Sequence, residues 1–355
     1  MKDRLGEDIM ISFECDYTQG CHETIMKRLV ETNLEQVCGY GQDHFCQEAK
    51  EKIKKACGRD DAEVFFLVGG TQTNQIVIDS LLKSYEGAVA AQTGHINVHE
   101  SGAIEFTGHK VLTLPEYDGK IKAEELKALL SKFWGDGTFE HMVFPGLVYI
   151  SYPTEYGTIY SKEELSSIYN VCKEYEIPLY IDGARLGYGL MSRQCDITFE
   201  ELASLCDVFY IGGTKVGALC GEAVVFTHGN MPKHFLTIAK QHGGLLAKGR
   251  LLGIQFDTLF TDNLYFEISK HAIDMAEEIK AGFLARGYKL LKDSPTNQQF
   301  VILTNEELAK VQEKVRCEVW EKVDEDHTAV RFASSWGTTK EQVEYLWEVM
   351  DELNK

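Results

Sequence analysis

Positive charge is what this chain is short of: 36 lysines and arginines stand against 55 acidic residues, for a net −19. That balance repels nucleic acid and anionic membrane surfaces, so neither is expected as a partner. Long apolar runs are missing too. None reaches the roughly 18 residues a membrane span needs, and the opening MKDRLGEDIM has no unbroken apolar stretch of the signal-peptide kind. A cytoplasmic location is the expectation. Ten cysteines are scattered from Cys15 to Cys317 without one Cys-x-x-Cys pair. They read as reduced thiols packing like small apolar residues, with a zinc site or disulfide framework as the alternative. The six prolines never cluster into a linker, and no internal repeat or low-complexity tract breaks the chain.

What is present is rhythm. Between residues 60 and 230, short apolar runs alternate with amphipathic segments. EVFFLV (63–68), AVAAQTG, KVLTLP, GLVYIS, IPLYID, DVFYIG and GEAVVFTH read as strands. TQTNQIVIDSLLKS, KAEELKALLSKF, SKEELSSIYNVCKEY and ITFEELASLC read as helices. Ser161 with Glu164 forms a capping box at one helix start. Alternation of this kind means right-handed crossovers and a mainly parallel sheet covered on both faces, an α/β fold. After about residue 260 a long helix, short strands (YKLL, FVIL, CEVWEK, AVRFASS), the helix NEELAKVQEKV and a last helix from Thr339 give an α+β pattern. The division expected is a large unit over 26–260 and a smaller one made of 1–25 with 261–355.

Four features along the large unit point to one site, because ligands of such sheets bind at strand carboxyl ends. In FFLVGGTQTNQ, Gly70 and Thr71 lie between a buried strand and a helix N-terminus, where exposed N–H groups and the helix dipole favour a phosphate. It is no nucleotide loop, since neither G-x-x-x-x-G-K-[ST] nor G-x-G-x-x-G occurs near it; a plain strand-to-helix turn looks the same. His95, in GHINVHES, suits an imidazole stacked on a cofactor ring, a surface or core histidine being the plain alternative. His95 and His99 also have the i, i+4 spacing of a metal pair, without a third ligand at an obvious distance, so no metal is expected. Asp182, in IDGAR, ends an apolar run, where an acid needs a partner; an Asx-turn is the plain alternative. Lys215 follows the next strand in a glycine-rich turn, and alone reads as a solvated lysine. Together, a strand-end lysine and a strand-end aspartate suit pyridoxal 5'-phosphate, held as a Schiff base and paired at its ring nitrogen. Arg331, alone in the apolar strand AVRFASSW, suits a substrate carboxylate or a structural ion pair. Lys248 and Arg250, after Gly243-Gly244, either reach a partner subunit's cofactor phosphate or belong to a solvated loop.

These residues resemble those of the threonine aldolase (low-specificity type) group in the β-eliminating lyase family, within the large class of pyridoxal-phosphate enzymes. The likeness rests on Gly39-Tyr40-Gly41-Gln42-Asp43, Gly70-Thr71-Gln72, His95, Asp182-Gly183-Ala184-Arg185, Thr214-Lys215 and Val330-Arg331, and spans nearly the whole chain. It implies an aminotransferase class I-type fold with a seven-stranded large sheet. It also implies that Gly70 and Thr71 grip the phosphate, His95 stacks on the ring and Asp182 binds the ring nitrogen. Arg185 would sit near the cofactor's phenolic oxygen or the substrate carboxylate, Thr214 by the cofactor, Lys215 in the Schiff base, and Arg331 on the substrate carboxylate. Tyr40 would come from a neighbouring subunit, in a homo-oligomer that is a dimer or dimer of dimers with shared active sites. The chain departs from the family at Cys15-Asp16-Tyr17, at Tyr152 to Gly157, where Glu-Asn-Thr-His-Asn-Gly is usual, and at Ala247-Lys248, near the usual arginine.

The implied activity is cleavage of a β-hydroxy-α-amino acid, threonine or allo-threonine, to glycine and an aldehyde. His95 is the candidate base for the hydroxyl proton and His141 a weaker one; Tyr152 and Tyr156 suggest a bulkier β-substituent. The alternatives are another pyridoxal-phosphate β-lyase, an aminotransferase, a cofactor-binding regulator, or a phosphate-binding α/β protein with an incidental lysine.

Overall fold

The computed structural model describes residues 10–353, so the opening segment read for a signal peptide lies, but for Met10, outside the described residues. In chain order the strands are β1 (Ile11–Ser12), β2 (Glu63–Leu67), β3 (Glu86–Ala91), β4 (Val111–Leu114), β5 (Phe144–Ser151), β6 (Leu179–Asp182), β7 (Val208–Gly212), β8 (Glu222–Phe226), β9 (Lys289–Lys292), β10 (Gln298–Thr304), β11 (Val315–Arg316), β12 (Glu318–Lys322) and β13 (His327–Ala333). Seven of them form the large sheet in the order β2-β8-β7-β6-β5-β3-β4. All neighbours run parallel except β8, which is antiparallel to both β2 and β7.

Every residue of β6 and β7 is buried. That is why they read as unbroken apolar runs: helices cover both faces. Side chains alternate between the faces with period two. Ile150, Ile181, Phe209 and Ile211 join one core. Tyr149, Tyr180 and Tyr210 join the other, together with Ile76 and Val77 of the helix Gly70–Leu81. Three phenols therefore point toward one helix, at the centre of the sheet.

The smaller antiparallel sheet has the order β12-β13-β10-β9. Its core packs the helices Leu264–Ala285 and Lys340–Leu353 against Val301, Val330 and Phe332, and takes in Ile11 and Phe13 from the N-terminal segment. The helix expected through 315 stops at Gln312, because Val315 and Arg316 pair with β1 instead. The helices Glu23–Glu31, His44–Ala56 and Arg250–Leu259 lie where no element was expected. The last of these carries Gly253, a poor helix former. A Cβ there would meet Cys46 Sγ at 2.6 Å, so the glycine serves close helix packing. Ser161 and Glu164 do make their capping box. Among the described residues no helix is long and apolar enough to cross a membrane.

Candidate active site

Three strand ends meet at the middle of the large sheet: Ser151 stands in register with Asp182, and Gly212 N–H donates to Gly183 O over 2.9 Å. Gly183 is required here, because a Cβ would lie 1.9 Å from Tyr210 O. The Asp182 carboxylate accepts from Ala184 N–H (3.0 Å), Asn74 Nδ2 (3.0 Å) and the Tyr149 hydroxyl (2.6 Å). The Asx-turn alternative thus describes one of its oxygens, and side chains hold the other. Burial alone would push this carboxyl up. The His95 charge and the hydrogen bonds from Tyr149, Tyr210 and Asn74 outweigh it and keep the group below its ordinary value, hence anionic.

Asn74 belongs to the helix that begins at Gly70, and so ties that helix start to Asp182. No side chain caps the helix. Its first N–H groups are thus left for water or a ligand. Thr71 is exposed there, and the buried Thr73 Oγ1 has no hydrogen-bond partner. Asn74 also donates to Glu100 Oε1 (2.8 Å), which meets His95 Nδ1 at 2.9 Å. Burial disfavours a charged His95 ring, but Glu100 and Asp182 together raise its pKa.

Lys215 follows β7 and is fixed through its carbonyl, which accepts from the Tyr188 hydroxyl at 2.6 Å. Burial first, then the Arg185 charge, lowers the pKa of its amine. Lys215 lines a cavity of about 230 Å³ together with His95, Glu155, Arg185, Trp320 and Arg331. Arg185 makes a two-pronged pair with Asp16 (2.6 and 3.0 Å). Burial works against the Asp16 charge, yet Arg185 and then Lys215 hold its pKa down to about 2. Arg331 is paired with Glu318 and donates to Gln298 Oε1 (2.8 Å) and Glu14 O (3.1 Å). That arginine thus has an ion-pair partner and also lines the cavity.

Other candidates lie elsewhere. Thr214 is turned to its own loop, where its hydroxyl accepts from Gly221 N–H at 3.0 Å. Lys248 lines a separate groove with Leu29 and Gly39. Tyr40 N–H donates to Ala247 O (3.0 Å), and its ring carries Lys240 at 4.8 Å. His141 is overturned as a base: it sits in the short turn Phe139–His141 and lines a different cavity, with Met142 and Pro145. The two tyrosines are corrected as well. Tyr152 is fully buried with its hydroxyl near Cys195 Sγ (3.4 Å), while Tyr156 packs on Trp320 and Phe300, behind the cavity wall. Among the described residues no three of His, Cys, Asp or Glu come together as a metal would need, so His95 and His99 lack a third ligand. Sequence reasoning missed Asn74, Glu100, Glu155, Glu318 and Trp320. Asn74 left the clearest signal, a polar residue beside the apolar Ile76-Val77-Ile78 of its helix.

A family model for beta-eliminating lyases matches residues 13–324. The chain belongs to that family. A low-specificity L-threonine aldolase of a Pseudomonas species is 31% identical over 67% of this lyase and 68% of its own length. One from Pseudomonas aeruginosa is 27% identical over 94% of this chain and 95% of its own. A solved structure of Leishmania major threonine aldolase is 41% identical, with a TM-score of 0.94, covering 97% of this lyase and 100% of that chain. The residues here fit pyridoxal phosphate: an anionic aspartate for the ring nitrogen, an uncapped helix start for the phosphate, and a half-buried lysine of lowered pKa facing the cavity.

Proposed function

We infer that this lyase is a pyridoxal-phosphate-dependent aldolase that cleaves threonine or allo-threonine to glycine and acetaldehyde. The observation that carries the reading is the convergence of Arg185, Lys215 and Arg331 on one small cavity, in a chain of net charge −19. Two guanidinium groups beside a strand-end lysine suit the carboxylate of an amino acid. The names of the relatives support the same substrate class.

When bound, pyridoxal phosphate supplies an electron-withdrawing ring that takes up the charge left on the substrate's α-carbon. Lys215 would hold it covalently, Asp182 would keep a negative charge at its ring nitrogen, and the N–H groups at Gly70 and Thr71 would take its phosphate. His95, oriented by Glu100, would pack on the ring. Arg331 seats the substrate carboxylate, with Arg185 beside it. Gln298 orients Arg331, and Asp16 orients Arg185, so each guanidinium has a fixed direction.

The reading includes a homo-oligomer, a dimer or dimer of dimers, since Tyr40 and Lys248 stand apart from this protomer's cavity and reach one only from a neighbouring subunit. A cytoplasmic location is supported by ten free cysteines. The division into 26–260 and 1–25 with 261–355 is supported by the separate core of the small sheet.

The test is a coupled alcohol dehydrogenase assay for acetaldehyde from threonine, with glycine quantified alongside. Acetaldehyde and glycine in equal amounts are expected. Pyruvate and ammonia from serine or cysteine, with no aldehyde from threonine, would make β-elimination the reaction instead.

A further inference from the structure

Cleaving a β-hydroxy amino acid requires an acceptor for one proton. The O–H bond breaks, its electron pair becomes the second carbon–oxygen bond of the aldehyde, and the Cα–Cβ pair remains on the α-carbon. The acceptor must face the cavity, hold a lone pair at working pH and be free of a cationic partner.

Most groups around the cavity fail one of these conditions. His95 is hydrogen-bonded to Glu100 and is raised toward its charged form. Glu318 is paired with Arg331, and Asp16 with Arg185. Glu155 fails none. It lines the cavity, is only 9% exposed, and has no salt-bridge partner among the described residues. Two donors aim its Oε1: the His95 backbone N–H at 2.9 Å and the Ser151 hydroxyl at 2.6 Å. Both donors favour the carboxylate and fix its direction. Glu155 thus sits just past the end of β5, beside the start of the helix His95–Val98, and lines the same cavity as Lys215.

We propose that Glu155 is the catalytic base that takes the proton of the substrate's β-hydroxyl, an assignment that rests on the aldolase reading above. His95 then serves as a charged ring-packing group. Four titratable groups surround the Glu155 carboxyl from the packed elements: His95, Asp182, Tyr149 and Tyr160. Arg185, Lys215, His99, Glu318, Arg331 and Tyr17 stand around the cavity. Burial pushes the Glu155 carboxyl up, against the Ser151 hydrogen bond and the His95 charge. Cleavage accordingly falls along an acid limb above the ordinary carboxylate range, as Glu155 takes up a proton with falling pH.

Glu155→Gln in the cofactor-loaded protein tests this, with His99→Asn as a companion because His99 is the other imidazole at the cavity, and burial and the His95 charge hold its pKa down. The expected result for Glu155→Gln is a fall in threonine kcat of about 100-fold or more, with loss of the acid limb. Exchange of the glycine α-hydrogen in D2O, which needs no hydroxyl proton acceptor, should stay within about threefold of wild type. Affinity for pyridoxal phosphate and the rise in melting temperature it gives should be unchanged, and His99→Asn should retain cleavage. Glu155→Gln cleaving within about threefold of wild type, or losing exchange and cofactor affinity along with cleavage, overturns the proposal; so does loss of the acid limb in His99→Asn alone. Wild-type protein that forms no aldehyde at all would instead overturn the aldolase reading.

Discussion

The two walls of the cavity are built differently. On the large-sheet side, hydrogen bonds converge on Asp182 from Asn74, Tyr149 and Ala184, and Tyr180 in turn donates to Asn74 Oδ1 at 2.7 Å. On the small-sheet side, Arg331 Nε and Gln298 Nε2 are buried without a hydrogen-bond partner, and Tyr17 is 55% exposed. Apart from Glu100 Oε2 and Thr73 Oγ1, which have no partner, the first network is satisfied, and a satisfied network in a low-dielectric interior is rigid. It suits a group that stays, as a cofactor does. Unpaired donors suit a group that comes and goes, because a ligand carboxylate would give each a partner. The comparison predicts that changes on the first wall act mainly on turnover, and changes on the second mainly on substrate binding.

The largest effect belongs to Lys215, which the two walls share. Lys215→Ala should lower turnover by about 1000-fold or more, while some cofactor still binds through the helix start at Gly70. Borohydride reduction and peptide mapping check the assignment; an adduct on any other lysine would refute it. On the large-sheet wall, Asp182→Asn should reduce kcat by about 100-fold, or roughly 2.7 kcal/mol, with a small change in melting temperature. Near-normal turnover would leave Asp182 as the turn residue that its bond to Ala184 N–H alone makes it. On the opposite wall, Arg331→Gln should raise the threonine KM by about 30-fold with kcat much less affected. An equal fall in kcat and kcat/KM would erase the distinction between the walls.

The walls also differ in how much of each could be read from the sequence. Asp182, Lys215 and the turn at Gly70 each follow an apolar run, and strand ends of one parallel sheet must meet. The groups that support them were out of reach. Asp16 meets Arg185 across 169 residues of chain. Glu318 and Trp320 come to Arg331 only through antiparallel register, with Glu318 opposite Arg331 on β13. His141 was misread for a related reason: a histidine beside a strand says nothing about which end of the sheet it faces. Tyr152 and Tyr156 sit in the right loop, but their side chains turn into the core and onto Phe300.

Asp16 links the N-terminal segment to the large-sheet wall, and its pairing sets a pH dependence of stability. Its folded pKa, about 2, lies below the ordinary 3.8. A depressed carboxylate contributes stability that is complete above its unfolded pKa and is lost as pH falls through the folded one. Asp16→Asn should therefore destabilise the protein by about 2 kcal/mol near neutral pH. The gap from wild type should close between about pH 4 and pH 2. Urea titrations of both proteins across that window measure it, and a gap that stayed constant would mean the pair contributes nothing through its charge.

The smallest expected effect concerns the substrate's far end. Trp320 lines the cavity on the small-sheet side, with Phe300 and Tyr156 packed edge-on behind it at 4.9 and 5.9 Å. An aromatic β-substituent would meet that indole, and an aromatic pair is worth about 0.5–1.5 kcal/mol beyond area burial. Trp320→Leu should therefore cut kcat/KM for phenylserine relative to threonine by about 5- to 10-fold. Tyr152→Phe, which removes only a buried hydroxyl near Cys195, should leave the ratio unchanged. Benzaldehyde and acetaldehyde release, measured side by side for both variants, decides it. A shift with Tyr152 and none with Trp320 would move the specificity wall from the small sheet to the loop after β5, and with it the contrast between a fixed side and an adaptable one.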